Sequence, residues 1–172
     1  MKELSTFILP LKGIAIGVSN YQFHLDQDFF SHFPNSLIDD ARVDVEVELD
    51  KRPSMIVVGL RHQGLMVTDC DRCMEQINMP IQGARQYIVK FVDQIQEDED
   101  EIIFMERDAE TLDLSVLLYE AVTLSLPLVK TYDCDVDPDA PCNDAVLDYL
   151  DRSSEDSKDN PSVWDELKNL EL

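Results

Sequence analysis

The sequence predicts an α+β fold: a twisted antiparallel β-sheet, partly barrel-like, packed by one main helix and followed by an acidic, partly disordered C-terminal tail. Three observations carry that reading. Between residues 43 and 92, short runs of strand-forming residues alternate with turn residues, the pattern of an antiparallel meander. One stretch, Asp113 to Leu126, has clear helical periodicity. From Asp133 onward thirteen acidic residues stand against three basic ones, a balance that works against a packed core.

The elements follow in order. Phe7 to Leu11 is a short apolar segment, and Gly13 and Gly17 mark turns after it. Tyr21, Phe23 and Leu25 alternate weakly, as in an edge strand. Phe29, Phe30 and Phe33 form a short helix or turn closed by Pro34, with core aromatics as the simplest account. Val43, Val45, Val47 and Leu49 then alternate with Asp44, Glu46, Glu48 and Asp50, a strand with one wet face. Lys51 to Ser54 is a turn, Ile56 to Leu60 a strand, and His62-Gln63-Gly64 a further turn. Leu65 to Thr68, Ile77 to Ile81 and Tyr87 to Val92 supply more strands. The acidic block 93–101 reads as a solvated loop, after which Ile102 to Met105 resumes the sheet. Asp113 is the expected N-cap of the helix, Leu114, Leu117, Leu118, Ala121 and Val122 its buried face, and Pro127 its limit.

In domain terms this is a core over residues 1–130, a cysteine-containing acidic segment 131–152, a linker 153–160 and a docking segment 161–172. Trp164, Leu167 and Leu170 fall on one helical face of that last segment, which docks either on its own domain or on a partner; they are the candidate partner-binding surface. The chain has 172 residues and is 44% hydrophobic, enough for a core of useful size. Its formal charge is −22. Such a field repels phosphate backbones, so direct RNA binding is disfavoured and a basic protein partner fits better. No apolar run is long enough to span a bilayer. Pro10 and Lys12 interrupt the N-terminal apolar run, and no cleavage site follows. A soluble, cytoplasmic protein is expected.

Chemistry concentrates in the cysteines. Cys70 and Cys73 form a Cys-x-x-Cys pair, and Cys134 and Cys142 complete a set of four. Four thiolates in two pairs suit one structural zinc ion, with no open position for catalysis. The spacing of the second pair is wider than in most zinc ribbons, so metal-free structural cysteines and a redox pair stay open. Arg72 between the first two thiols favours the redox alternative; the lack of a βαβ pattern around them disfavours it. No nucleophile elbow, metalloprotease helix or phosphate-binding glycine loop occurs. His24, His32 and His62 have no obvious partner in the sequence. An enzyme is not expected.

The order of these motifs resembles a known family. Thr68-Asp69-Cys70-Asp71-Arg72-Cys73, Leu112-Asp113-Leu114, the run Glu120 to Leu128, Cys134 and Cys142, and Asn160-Pro161 with Trp164, Leu167 and Leu170 together are similar to the YceD family over roughly residues 45–172. That family is tied to accumulation of the 23S ribosomal RNA of the large subunit. The resemblance implies a cytoplasmic, non-catalytic role in large-subunit biogenesis, and in that setting the charge of −22 suggests a basic ribosomal protein or a large-subunit assembly intermediate as partner. It brings no catalytic residues with it. The alternative is a zinc-binding or thiol redox-sensing module unrelated to ribosomes.

Overall fold

The computed structural model describes residues 4–94, 96, 97, 99–133 and 141–159, with side chains through residue 152. In chain order the strands and helices are β1 (Ile8–Pro10), β2 (Gly17–Leu25), α1 (Gln27–Phe30), β3 (Asp40–Lys51), β4 (Met55–Asp69), β5 (Gln76–Val92), β6 (Ile102–Glu106), β7 (Thr111–Asp113), α2 (Ser115–Thr123) and α3 (Asp144–Asp159). They divide between two compact units. A sheet unit takes Met1–Thr68 and Asn78–Leu128; a cysteine unit takes Asp69–Ile77 and Val129–Leu172.

The sheet unit is built on β3. Every second side chain there is apolar, so Val43, Val45, Val47 and Leu49 are buried while Asp44, Glu46 and Glu48 stay in water. β2 and β4 flank it antiparallel, with Tyr21 and Leu60 opposite Val47, and the full order is β2-β3-β4-β5-β6. β1 and β7 form a separate antiparallel pair. Leu114, Leu117, Leu118, Ala121 and Val122 are buried, as their helical spacing predicts, and join the sheet's inner face in one core. Each leucine or valine among them contributes roughly 1.5–3 kcal/mol on leaving water. Asp26 caps α1 by accepting the Phe29 N–H at 3.3 Å. Just beyond α1, Phe33 stacks on Tyr119 of α2 with ring centroids 4.1 Å apart.

The structure corrects several expectations. The sheet is open and not barrel-like, with β2 at one edge and β6 at the other. It is also not wholly antiparallel, because β6 runs parallel to β5. A pairing of only five residues, Ile88–Val92 with Ile102–Glu106, lets residues 93–101 carry the chain back without a crossover helix. His62-Gln63-Gly64 is no turn; β4 runs straight through it. Gly64 is needed for a close approach, since a Cβ there would lie 2.1 Å from the Arg42 carbonyl oxygen. β5 likewise continues through Pro80 and Gly83. Its pairing with β6 begins only at Ile88, so around Pro80 the missing N–H costs no bond on that side. Asp113 is the last residue of β7, and Leu114 holds the N-cap position of α2. The Asp113 carboxylate still accepts the Ser115 N–H at 2.8 Å, so it caps from one residue further back. α2 stops at Thr123, ahead of Pro127.

In the cysteine unit, Asp71 and Lys130 are bonded twice. The Asp71 N–H donates to the Lys130 carbonyl and the Lys130 N–H to the Asp71 carboxylate, both at 2.7 Å. α3 opens on Asn143, whose side chain accepts the Val146 N–H at 3.4 Å, with Asp144 in its first turn. That helix extends over residues 153–159, which the sequence presents as linker.

Candidate functional site: the cysteine turn

β4 ends at Asp69 and β5 begins at Gln76, and the chain between them closes on itself. The Cys70 N–H donates to the Glu75 carbonyl at 2.8 Å, and the Met74 N–H donates to the Cys70 carbonyl at 2.9 Å. Closure requires a left-handed residue, and Met74 fills the position at φ 60°. An unbranched side chain tolerates that conformation at a cost of about 1 kcal/mol. The turn withdraws both sulfurs from water: Cys70 and Cys73 are each 0% exposed and both are free thiols.

The backbone around Cys70 is arranged for a thiolate. Burial pushes its thiol up. The backbone N–H groups of Cys73, Tyr132 and Arg72, with the Cys73 side chain, pull it down further, so it ends below the ordinary thiol range. Donors aimed at a sulfur before any charge develops are what a soft-metal ligand needs. Two of the four sulfurs therefore fit a zinc site. Cys142, half-buried ahead of α3, is engaged in a disulfide. A disulfide sulfur is no thiolate, so a zinc site that uses Cys142 requires its reduced form. Cys134 lies outside the described residues, as do Trp164, Leu167 and Leu170. Among the described residues no three His, Cys, Asp or Glu side chains gather around one point as a metal ion requires.

A second constellation had no signal in the sequence. His62 and Ser125, 63 positions apart, meet inside the sheet unit with Nε2 and Oγ 2.9 Å apart. Gly83 makes room for the ring, since a Cβ there would lie 2.8 Å from the His62 Cε1. The Ser125 hydroxyl donates to the Val122 carbonyl at 2.6 Å, so the imidazole Nε2 is the donor to Oγ. That is the reverse of an activated serine, whose proton must point at the histidine. The pair ties β4 to the end of α2. Among the described residues His62 Nδ1 has no partner and is buried, and burial lowers the imidazole below its usual range.

The family model for the large ribosomal RNA subunit accumulation protein YceD matches residues 58–171, more than half of the chain. The chain belongs to the YceD family. The match takes in most of β4, the cysteine turn, β5 to β7, α2 and α3. It starts later than the resemblance read from residue 45, leaving β1 to β3 outside the matched part of this YceD family member. No curated protein and no solved structure matches the chain. Among the described residues, no helix is long and apolar enough to cross a membrane.

Proposed function

We propose that this YceD family member is a non-enzymatic accessory factor for 23S ribosomal RNA accumulation and large-subunit biogenesis. It acts through a basic protein partner, a ribosomal protein or an assembly intermediate, in the cytoplasm. Family membership over residues 58–171 carries the reading. The charge of −22 supports a protein partner over direct RNA contact, because carboxylates stand in for phosphates toward a basic chain. The polarity of the His62–Ser125 bond and the withdrawal of both described thiols from solvent support a role without catalysis.

One structural zinc ion belongs to the same proposal. Cys70 and Cys73 supply two thiolates, Cys142 a third once reduced, and Cys134 is the fourth ligand expected from the sequence. Zinc would supply a cross-link there and no chemistry. The disulfide at Cys142 favours the alternative, a thiol sensor. Against it, a sensing thiol has to meet its oxidant, and Cys70 and Cys73 are fully enclosed. Metal analysis with thiol counting separates the two: about one zinc per chain supports the structural site, and a metal-free chain with a reactive Cys70 supports the sensor.

The deciding experiment is the ratio of 23S to 16S ribosomal RNA in cells depleted of the protein. Rescue is attempted with wild type, with Cys70→Ser/Cys73→Ser, and with a chain lacking residues 160–172. The ratio should fall and wild type should restore it. The last variant should keep the fold and fail to recover the partner if Trp164, Leu167 and Leu170 are the contact. An unchanged ratio on depletion would sink the ribosomal reading.

A further inference from the structure

The sheet unit carries an open cleft of about 680 Å³ beside the start of β6 and the C-terminal turn of α2. One of its lining residues is Tyr87, 3% exposed, whose ring belongs to the core. Among the described residues the Tyr87 hydroxyl has no hydrogen-bond partner, and it is not sealed from solvent, so it is presented to the cleft. A phenol enclosed to this degree normally finds a partner.

The walls indicate what belongs in that cleft. Glu99, Asp100 and Glu101 line one side and Glu120 of α2 lines another, against a single cation, Arg85. The Arg85 guanidinium is 3.8 Å from the Glu101 carboxylate, and among the described residues the other three acids have no ion pair. Burial raises the Tyr87 phenol, and Glu120 adds to the rise, so the carboxylate field reaches the hydroxyl. Ile102 and Leu124 make the apolar part of the lining, and Leu124 is 63% exposed. These acids do not converge as a metal ion requires. An organic cation on an aliphatic stem meets both kinds of wall.

A second groove of the sheet unit, about 650 Å³ over β2 to β5, shares Arg85 and Glu101 with the cleft but extends to Glu46 and Glu48 on β3. Glu46 faces Arg61 across the strands, and among the described residues no enclosed, unpartnered polar group lines that groove. It provides the control.

We propose that the Tyr87 cleft receives a lysine or arginine side chain from an extended basic segment of a protein partner. The cationic head donates to the Tyr87 hydroxyl oxygen and to Glu99 and Glu120, while the stem lies on Ile102 and Leu124. This rests on the reading that the partner is a basic protein. It places one point of recognition on the sheet unit.

The test uses the full chain and a fluorescein-labelled dodecapeptide of alternating lysine, alanine and arginine, followed by anisotropy at physiological salt. The double variant Glu99→Gln/Glu120→Gln should weaken binding about tenfold, and Tyr87→Phe about threefold. Glu46→Gln/Glu48→Gln removes the same charge from the control groove and should weaken binding less than about twofold. Equal weakening by both double variants would assign the effect to the overall field and overturn the site, as would a wild-type chain that does not bind. Displacement of the peptide by spermidine at equal concentration would make the cleft a polyamine site and overturn the protein-segment assignment. The ribosomal reading fails separately, through an unchanged 23S level.

Discussion

The two units of this chain are held together by different physics. In the sheet unit a continuous core joins β2 to β5 with α2, and its enclosed residues run from Phe7 to Val122. In the cysteine unit the enclosed apolar residues, among those described, are Cys70, Cys73 and Ile77. So few enclosed apolar side chains among the described residues supply little hydrophobic free energy, and small units with little core are commonly held by a metal or a disulfide. The contrast leads to the expectation that the second unit's structure depends on its sulfurs and the first unit's does not.

That contrast can be broken from either side. The largest effect is expected from Leu118→Ala, which removes a fully buried side chain from the sheet unit. It should cost about 2–5 kcal/mol in urea unfolding, while thiol accessibility in the cysteine unit stays as in wild type. Cys70→Ser/Cys73→Ser should act the other way. Hydrogen exchange at Asp71, Met74, Lys130 and α3 should speed up, and the sheet unit's urea midpoint should barely move. Equal loss of protection in both units would mean that they share one source of stability, and the comparison would be wrong. The smallest effect sharpens the account of the sheet unit alone. His62 is held neutral, below its usual value of 6.5. The unfolded chain takes up a proton near that pH and the folded chain resists it. The contribution is therefore complete above about pH 6.5 and is lost as pH falls through the lowered folded value. Unfolding followed from pH 7 to pH 5 should show this slope, and His62→Asn should remove it; an unaltered slope would place the titration elsewhere.

Most of the sheet unit was legible where one period ruled. β3 needed only its alternation of Val43, Val45, Val47 and Leu49 with acidic residues, and α2 only the spacing of its five apolar positions. Residues whose local preference disagrees with their tertiary role misled. Gly64 looks like a turn because glycine is common in turns, yet its reason is the Arg42 carbonyl against its Cα. The expected interruption between Ile81 and Tyr87 is absent, because β5 runs on through Gly83 in one strand. Helix α3 was obscured by charge: its acidic composition resembles that of a solvated linker, and neither the Asn143 cap nor Asp144 in the first turn was given weight. Of the candidate site, the Cys70–Cys73 pair was visible in four letters, and the turn that encloses it follows from that spacing. The Tyr87 cleft was not visible, because its acids come from β5's far connection and from α2, and only the fold collects them. The charge of the block 93–101 signals a solvated segment and is silent about the cleft that Glu99, Asp100 and Glu101 line.

The interleaving of the units has a consequence for how the protein is made. The sheet unit's last residues end at Leu128, while Asp69–Ile77 must wait for the chain after Val129 before its own unit is complete. At about 5–20 residues per second, synthesis from Cys73 to Tyr132 takes roughly 3–12 s. During that interval the nascent chain displays Cys70 and Cys73 without the Lys130 and Tyr132 backbone that later covers and polarises them. The order of translation thus gives the two thiols a brief period of open chemistry, in which metal ions and oxidants compete for them before the mature protein closes over both.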